Sequence, residues 1–178
     1  MTKYTDINIS ELQVLPFKGG EKKFAKIKNP SATDQTLTLQ LPKCSVVFEP
    51  SNYNSMSVRM NHVGFQRFLN ELQLWLIREV DDAPDFDVGI KEDTSGKYDP
   101  LFRLKITDET SVYDHTSKRS TKDILKRGID VHILCQVNCL YCINGRYGVS
   151  WKAVQIKAAE PLSSPEPSDA YGNIDFLD

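Results

Sequence analysis

IDVHILCQVNCLYCINGRYGVSWKAVQIKA, residues 129–158, is the stretch on which the fold turns. Apolar residues alternate on both sides of Asn144-Gly145. The pattern predicts a long strand over 129–143, a Gly-containing turn over 144–148 and a last strand over 149–158. Strict period-two geometry puts Val131, Ile133, Cys135, Val137, Cys139 and Tyr141 on one face and Cys142 on the other. Trp151 and Ala153 fall on the same side as that apolar set, which assigns Trp151 to the core or to barrel closure. The spacing C-x3-C-x2-C inside a strand does not converge on a tetrahedral metal. These thiols read as small hydrophobes, and no metal or cofactor is expected.

Outward from this hairpin, the chain is mostly strands around one helix. HVGFQRFLNELQLWLIREV, residues 62–80, repeats Phe65, Phe68, Leu69, Leu72, Leu76 and Val80 at spacings of three and four, with Asn61 as the expected N-cap. Before it, QTLTLQLP (35–42) sets Leu37, Leu39 and Leu41 on one face. Further strands are expected at 7–15, 22–28, 44–48 and 57–60, with turns at Gly19-Gly20, Asn29-Pro30 and Glu49-Pro50. After the helix, a loop carries six acids between Asp81 and Asp93 against Lys91 alone; strands resume at 101–106 and near 111–115. The acids lack calcium-loop spacing and read as a solvated loop. The fold class is therefore all-β with one helix, a β-rich α+β protein. An OB-fold-like Greek-key barrel with a helix between barrel strands fits this order, and a β-sandwich with an inserted helix is the alternative.

Residues 1–160 read as a single domain and 161–178 as an acidic tail. Glu166, Asp169, Asp175 and Asp178 stand in the tail with no Lys or Arg. So polar a segment buries too little apolar surface to offset its ordering entropy, so disorder is expected. Setting these four acids aside turns a chain of 22 bases and 24 acids into a body of 22 bases and 20 acids. A slightly basic body with an aromatic-tipped acidic tail points to a polyanion binder that presents a peptide to other proteins.

The positive charge is clustered. Lys18, Lys22, Lys23, Lys26 and Lys28 surround Phe24, and a second cluster over 97–127 includes Arg103, Lys105, Lys118 and Arg119, interleaved with Tyr98 and Tyr113. Cations neutralise phosphates and aromatic faces accept unpaired bases, so the combination predicts a groove for a single strand. Alternation sets Arg103 and Lys105 opposite Phe102, Leu104 and Ile106, on the solvent side of one strand. The expected contacts are Lys22, Lys26, Arg103, Lys105, Lys118, Arg119, Tyr98 and Tyr113, with Arg146 and Tyr147 at the hairpin turn. The three His, at 62, 115 and 132, join no nucleophile or metal motif, and no enzyme is expected. No apolar run reaches the roughly 20 residues of a membrane span, and the N-terminus lacks a secretory pattern. A cytoplasmic or nuclear protein with reduced thiols is expected.

The segment ILKRGIDVHILCQVNCLYCINGRYGVSWKAVQIKAAEP, residues 124–161, joins Arg127-Gly128 to a long strand and then to Gly148-Val149-Ser150-Trp151-Lys152 and Gln155-Ile156. It resembles the C-terminal hairpin of the replicative single-stranded DNA-binding proteins of podovirus-type phages and their relatives in large DNA viruses. The resemblance implies an OB-fold with a helix between the third and fourth barrel strands. It also implies an acidic tail ending in or near an aromatic residue, here Phe176, and a homodimer. The tail (Asp169, Asp175, Phe176, Asp178) would then contact replication proteins: DNA polymerase, helicase or primase. The function so implied is sequence-tolerant single-stranded DNA binding in replication, recombination or repair. The alternatives are a β-rich viral or phage structural or assembly protein that binds no nucleic acid, and a small RNA-binding OB module.

Overall fold

The computed structural model describes residues 2–81 and 83–161. Its strands are β1 (Gln13–Val14), β2 (Lys18–Gly19), β3 (Lys22–Ala25), β4 (Ile27–Lys28), β5 (Thr38–Gln40), β6 (Cys44–Phe48) and β7 (Ser55–Arg59). Helix α1 (Val63–Glu79) follows, then β8 (Ile90–Lys91), β9 (Leu101–Lys105), β10 (Ser111–Tyr113), β11 (Arg119–Ser120), β12 (Asp130–Ile143) and β13 (Arg146–Ala158).

Strands β12 and β13 form the long antiparallel hairpin expected from residues 129–158, running from Val131↔Ala158 to Ile143↔Arg146. The other edge of β13 lies parallel to β9 through Lys152↔Lys105, and β12 takes β6 through Val131↔Cys44. Antiparallel pairs β6–β7 and β7–β9 complete a closed ring, β6–β7–β9–β13–β12. This is the strand order of an OB-type Greek-key barrel, with the helix between barrel strands. Within the ring the helix follows the second strand, β7, and precedes the third, β9. The resemblance implied a place between the third and fourth. Strands β3 and β5, which precede the ring strands in the chain, pair with the edge of β12 beyond β6 and do not complete the circle.

Burial follows the alternation in most strands. Phe102, Leu104 and Ile106 are fully buried while Arg103 and Lys105 are exposed; Leu37, Leu39 and Leu41 all point into the core. The helix buries Phe65, Phe68, Leu69, Leu72, Trp75 and Leu76. Phe65 meets Phe102 edge-on at 5.5 Å and Tyr4 at 5.3 Å, which ties helix, barrel and N-terminus together. Each of the two buried phenylalanine rings contributes roughly 1.5–3 kcal/mol by leaving water. The N-cap is His62, one residue later than expected: its Nδ1 accepts the N–H of Phe65 at 3.3 Å.

Trp151 is 2% exposed, and its indole N–H donates to the Val88 carbonyl at 2.9 Å. The neighbouring Gly89 has φ +92°, and a Cβ there would stand 2.8 Å from the indole ring. Only glycine meets both the backbone angle and the close approach. The four cysteines are free thiols. Burial pushes Cys44 up to about 12, helped by the charge of Asp130, and raises Cys135 as well, so both stay protonated and inert.

Trp151→Ala is expected to lower unfolding free energy by about 3–5 kcal/mol in urea titrations, because it leaves a cavity and an orphaned Val88 carbonyl. An unchanged midpoint would place Trp151 outside the core.

Candidate nucleic-acid interface

One extra residue in β12 decides which side chains face outward. Val137 pairs with Trp151 but Cys139 pairs with Ser150, so Asn138 is a bulge. Beyond it the faces exchange. Leu140, opposite Val149, is fully buried, whereas Cys139, Tyr141 and Ile143 are only partly covered. The period-two reading had placed Cys139 and Tyr141 on the side of Val131; the bulge moves them to the other. A second register shift, between Leu134 and Cys135, leaves Val154 as the extra residue on β13.

The outer face so created spans several strands. Phe24 and Lys22 of β3 stand opposite Tyr141 and Ile143. Lys152 of β13 lies opposite Lys105, and Ser57 and Ser55 of β7 oppose Arg103 and Lys105. Together they border a groove of about 350 Å³ lined by Phe24, Tyr53, Arg103, Lys105, Cys139 and Tyr141. Two further depressions continue it through shared Asp87: one reaches Arg146 and Tyr147, the other Phe48 and Lys91.

Among the described residues, three aromatic side chains along this path are open to solvent: Phe24 is 46% exposed, Phe48 57% and Tyr53 90%. Large apolar rings left in water beside cations are a surface for flat, negatively charged ligands. Lys105 and Lys26 both lie near enough to Cys139 to work against burial, which raises its thiol. Tyr141 is held above the ordinary phenol range chiefly by burial and then by Asp87, with Arg103 opposing. Its ring lies directly over Gly148, where a Cβ would collide with it.

The expected contact residues divide by position. Arg103 and Lys105 line the groove, Lys26 and Lys22 border it, and Arg146 and Tyr147 line the adjoining depression. Tyr147 packs between Phe17 at 5.7 Å and Phe86 at 5.6 Å. Tyr98 is exposed on a loop that the Asp93 carboxylate orders by accepting the N–H groups of Lys97 and Tyr98, and Lys97 stands 5.6 Å from its ring. Tyr113 and Arg119 pair across β10 and β11, with the guanidinium 5.9 Å from the ring. Tyr113 meets β13 at Lys157, five residues beyond Lys152 and so about 16 Å further along the strand. Tyr98, Tyr113, Lys118 and Arg119 thus stand outside the central groove. The tail residues Asp169, Asp175, Phe176 and Asp178 lie outside the described residues. Tyr53, Phe48, Lys152 and Asp87 were not expected here; Phe24 stood inside the first lysine cluster, which was the signal for it.

No protein-family model and no curated protein matches the chain. Solved structures of the single-stranded DNA-binding protein from bacteriophage Enc34 do. One of them gives a TM-score of 0.54 at 9% identity, covering 92% of this chain and 96% of that one. The C-terminal truncation gives 0.53 at 8% identity over 85% and 97%, and the complex with ssDNA 0.52 at 7% over 90% and 99%. At such identities the likeness is one of fold.

Gly148→Ala is expected to drive the Tyr141 ring outward. Its phenol should then titrate nearer the ordinary value of about 10, because the burial that raises it is lost. NMR-detected tyrosine titration reads this directly; an unmoved Tyr141 would show that Gly148 does not set the ring's place.

Proposed function

We propose that this chain is a sequence-tolerant single-stranded DNA-binding protein acting in DNA replication, recombination or repair. The observation that carries the reading is the outer face of β3, β12, β13 and β9, where Arg103 and Lys105 line one groove with the exposed rings of Phe24 and Tyr53, Lys26 lies near Cys139 and Lys152 lies opposite Lys105. The shared fold with a phage single-stranded DNA-binding protein supports it. Phosphates lie along the cations while unpaired bases stack on the rings; a duplex hides those base faces, so single strands are favoured. Arg146 and Tyr147 extend the path at one end, and Lys118, Arg119 and Tyr113 at the far end of β13. Tyr98 adds a platform on its loop. The tail recruits a DNA polymerase, helicase or primase through Phe176, and the protein acts as a homodimer.

Gel shifts with ssDNA, dsDNA and RNA of equal length test the reading: ssDNA should bind most tightly, and absence of ssDNA binding at low salt would refute it. With about three to five phosphates neutralised, log affinity should fall with log salt at about −0.7 per phosphate. Reversing Arg103 and Lys105 together to Glu should weaken binding far more than the same change at Lys122 and Lys126, which lie off the groove. Equal losses would remove the groove from the account.

The tail carboxylates carry the sign of phosphates and compete for the same cations. Deleting residues 166–178 should tighten ssDNA binding at low salt and abolish capture of the partner protein. Phe176→Ala should lose the partner alone. Unchanged DNA affinity and unchanged partner binding would leave the tail only a solubilising role.

A further inference from the structure

The groove contains one feature that works against phosphate binding. Among the described residues, Asp87 is the acid that lines its central part, and it also lines both adjoining depressions. Its position is fixed on three sides. The backbone N–H donates to the Tyr147 carbonyl at 3.0 Å, the Asp87 carbonyl accepts the Val149 N–H at 2.7 Å, and Oδ1 accepts the Gly89 N–H at 2.8 Å. Arg103 and Lys105 line the same groove, yet Asp87 forms no ion pair with either among the described residues. Oδ2 accepts no hydrogen bond there either, and the side chain is exposed. A rigidly held carboxylate thus keeps an open acceptor edge beside the rings of Phe24 and Tyr141.

We propose that Asp87 reads the Watson–Crick edge of a base seated on the Phe24–Tyr141 platform, and that it favours guanine. This rests on the single-strand reading of the groove. Phe24 and Tyr141 oppose each other across β3 and β12 and so present their rings on one face, with Asp87 close enough to Tyr141 to act on its ionisation. A carboxylate only accepts hydrogen bonds. Guanine offers it two donors side by side, N1–H and the 2-amino group, and pairs with it in bidentate fashion. Cytosine and adenine offer one amino group next to an acceptor nitrogen. Thymine offers N3–H between two carbonyl oxygens, which the carboxylate repels. Stacking alone gives no such ranking, since every base has a π-face.

The test is fluorescence anisotropy with an oligo(dT) and with the same oligomer carrying a single central dG, dI or dC. The dG oligomer is expected to bind about tenfold tighter than oligo(dT), within the range of a bidentate base contact. Inosine, which lacks the 2-amino group, should fall between them. Asp87→Asn keeps an acceptor for the Gly89 N–H but removes the charge. It should bind oligo(dT) at least as tightly as the unaltered protein does and lose most of the dG advantage. Equal affinity for dG and dT oligomers, dI bound as tightly as dG, or a dG advantage that survives Asp87→Asn would overturn the proposal while leaving the groove in place. Failure to bind any oligomer would overturn both.

Discussion

The structure depends on β13 being paired along both edges. Its antiparallel contact with β12 and its parallel contact with β9 at Lys152↔Lys105 close five strands into a ring. An open sheet here would leave two strand edges, those of β13 and β9, without each other and the inner residues Leu104, Val149 and Ile156 facing water. Closure fixes the side chains in the middle of β13 inside the barrel, so Trp151 must find a polar partner there for its N–H. It finds the Val88 carbonyl, and Gly89 supplies the space for the ring. The segment after the helix is thereby anchored against the barrel, which places Asp87 beside the groove.

Closure also explains why bulges matter. Two strands of 14 and 13 residues cannot coil around a small barrel in one unbroken register, and the extra residues Asn138 and Val154 absorb the mismatch. The first of these reverses the faces of β12 just where it runs beside β3. Before the bulge Cys135 fills the core; after it Leu140 does, and Tyr141 joins Phe24 outside. A barrel wall thus becomes a half-apolar, cationic surface, with backbone pairing interrupted only at the bulge and resumed at Cys139↔Ser150.

The features carried by strict periodicity were legible in the sequence. The helix stripe from Phe65 to Leu76, the inward leucines at 37, 39 and 41, and the outward Arg103 and Lys105 each follow from spacing alone. So did the one α-helix among the strands of the described residues and the hairpin of β12 and β13. The bulge was not legible, because an extra residue leaves the local alternation intact on either side and only the partner strand reveals the slip. For that reason Cys139 and Tyr141 were read on the wrong face. Tyr53 and Phe48 gave no signal, since an exposed ring and a core ring look alike in a sequence. Asp87 was read as part of a solvated acidic loop, which its backbone bonds to Tyr147 and Val149 show to be docked on β13. At the helix start, His62 displaced Asn61 as cap because an imidazole nitrogen reaches the Phe65 N–H as well as a carboxamide would.

The most direct test of the account is a map of amide NMR shifts on titration with a short oligo(dT). The largest changes are expected along β3, the second half of β12, and the facing parts of β13 and β9, centred on Phe24, Tyr141, Ser150 and Lys105. Changes confined to β10 and β11, or to the exposed side of the helix, would contradict it.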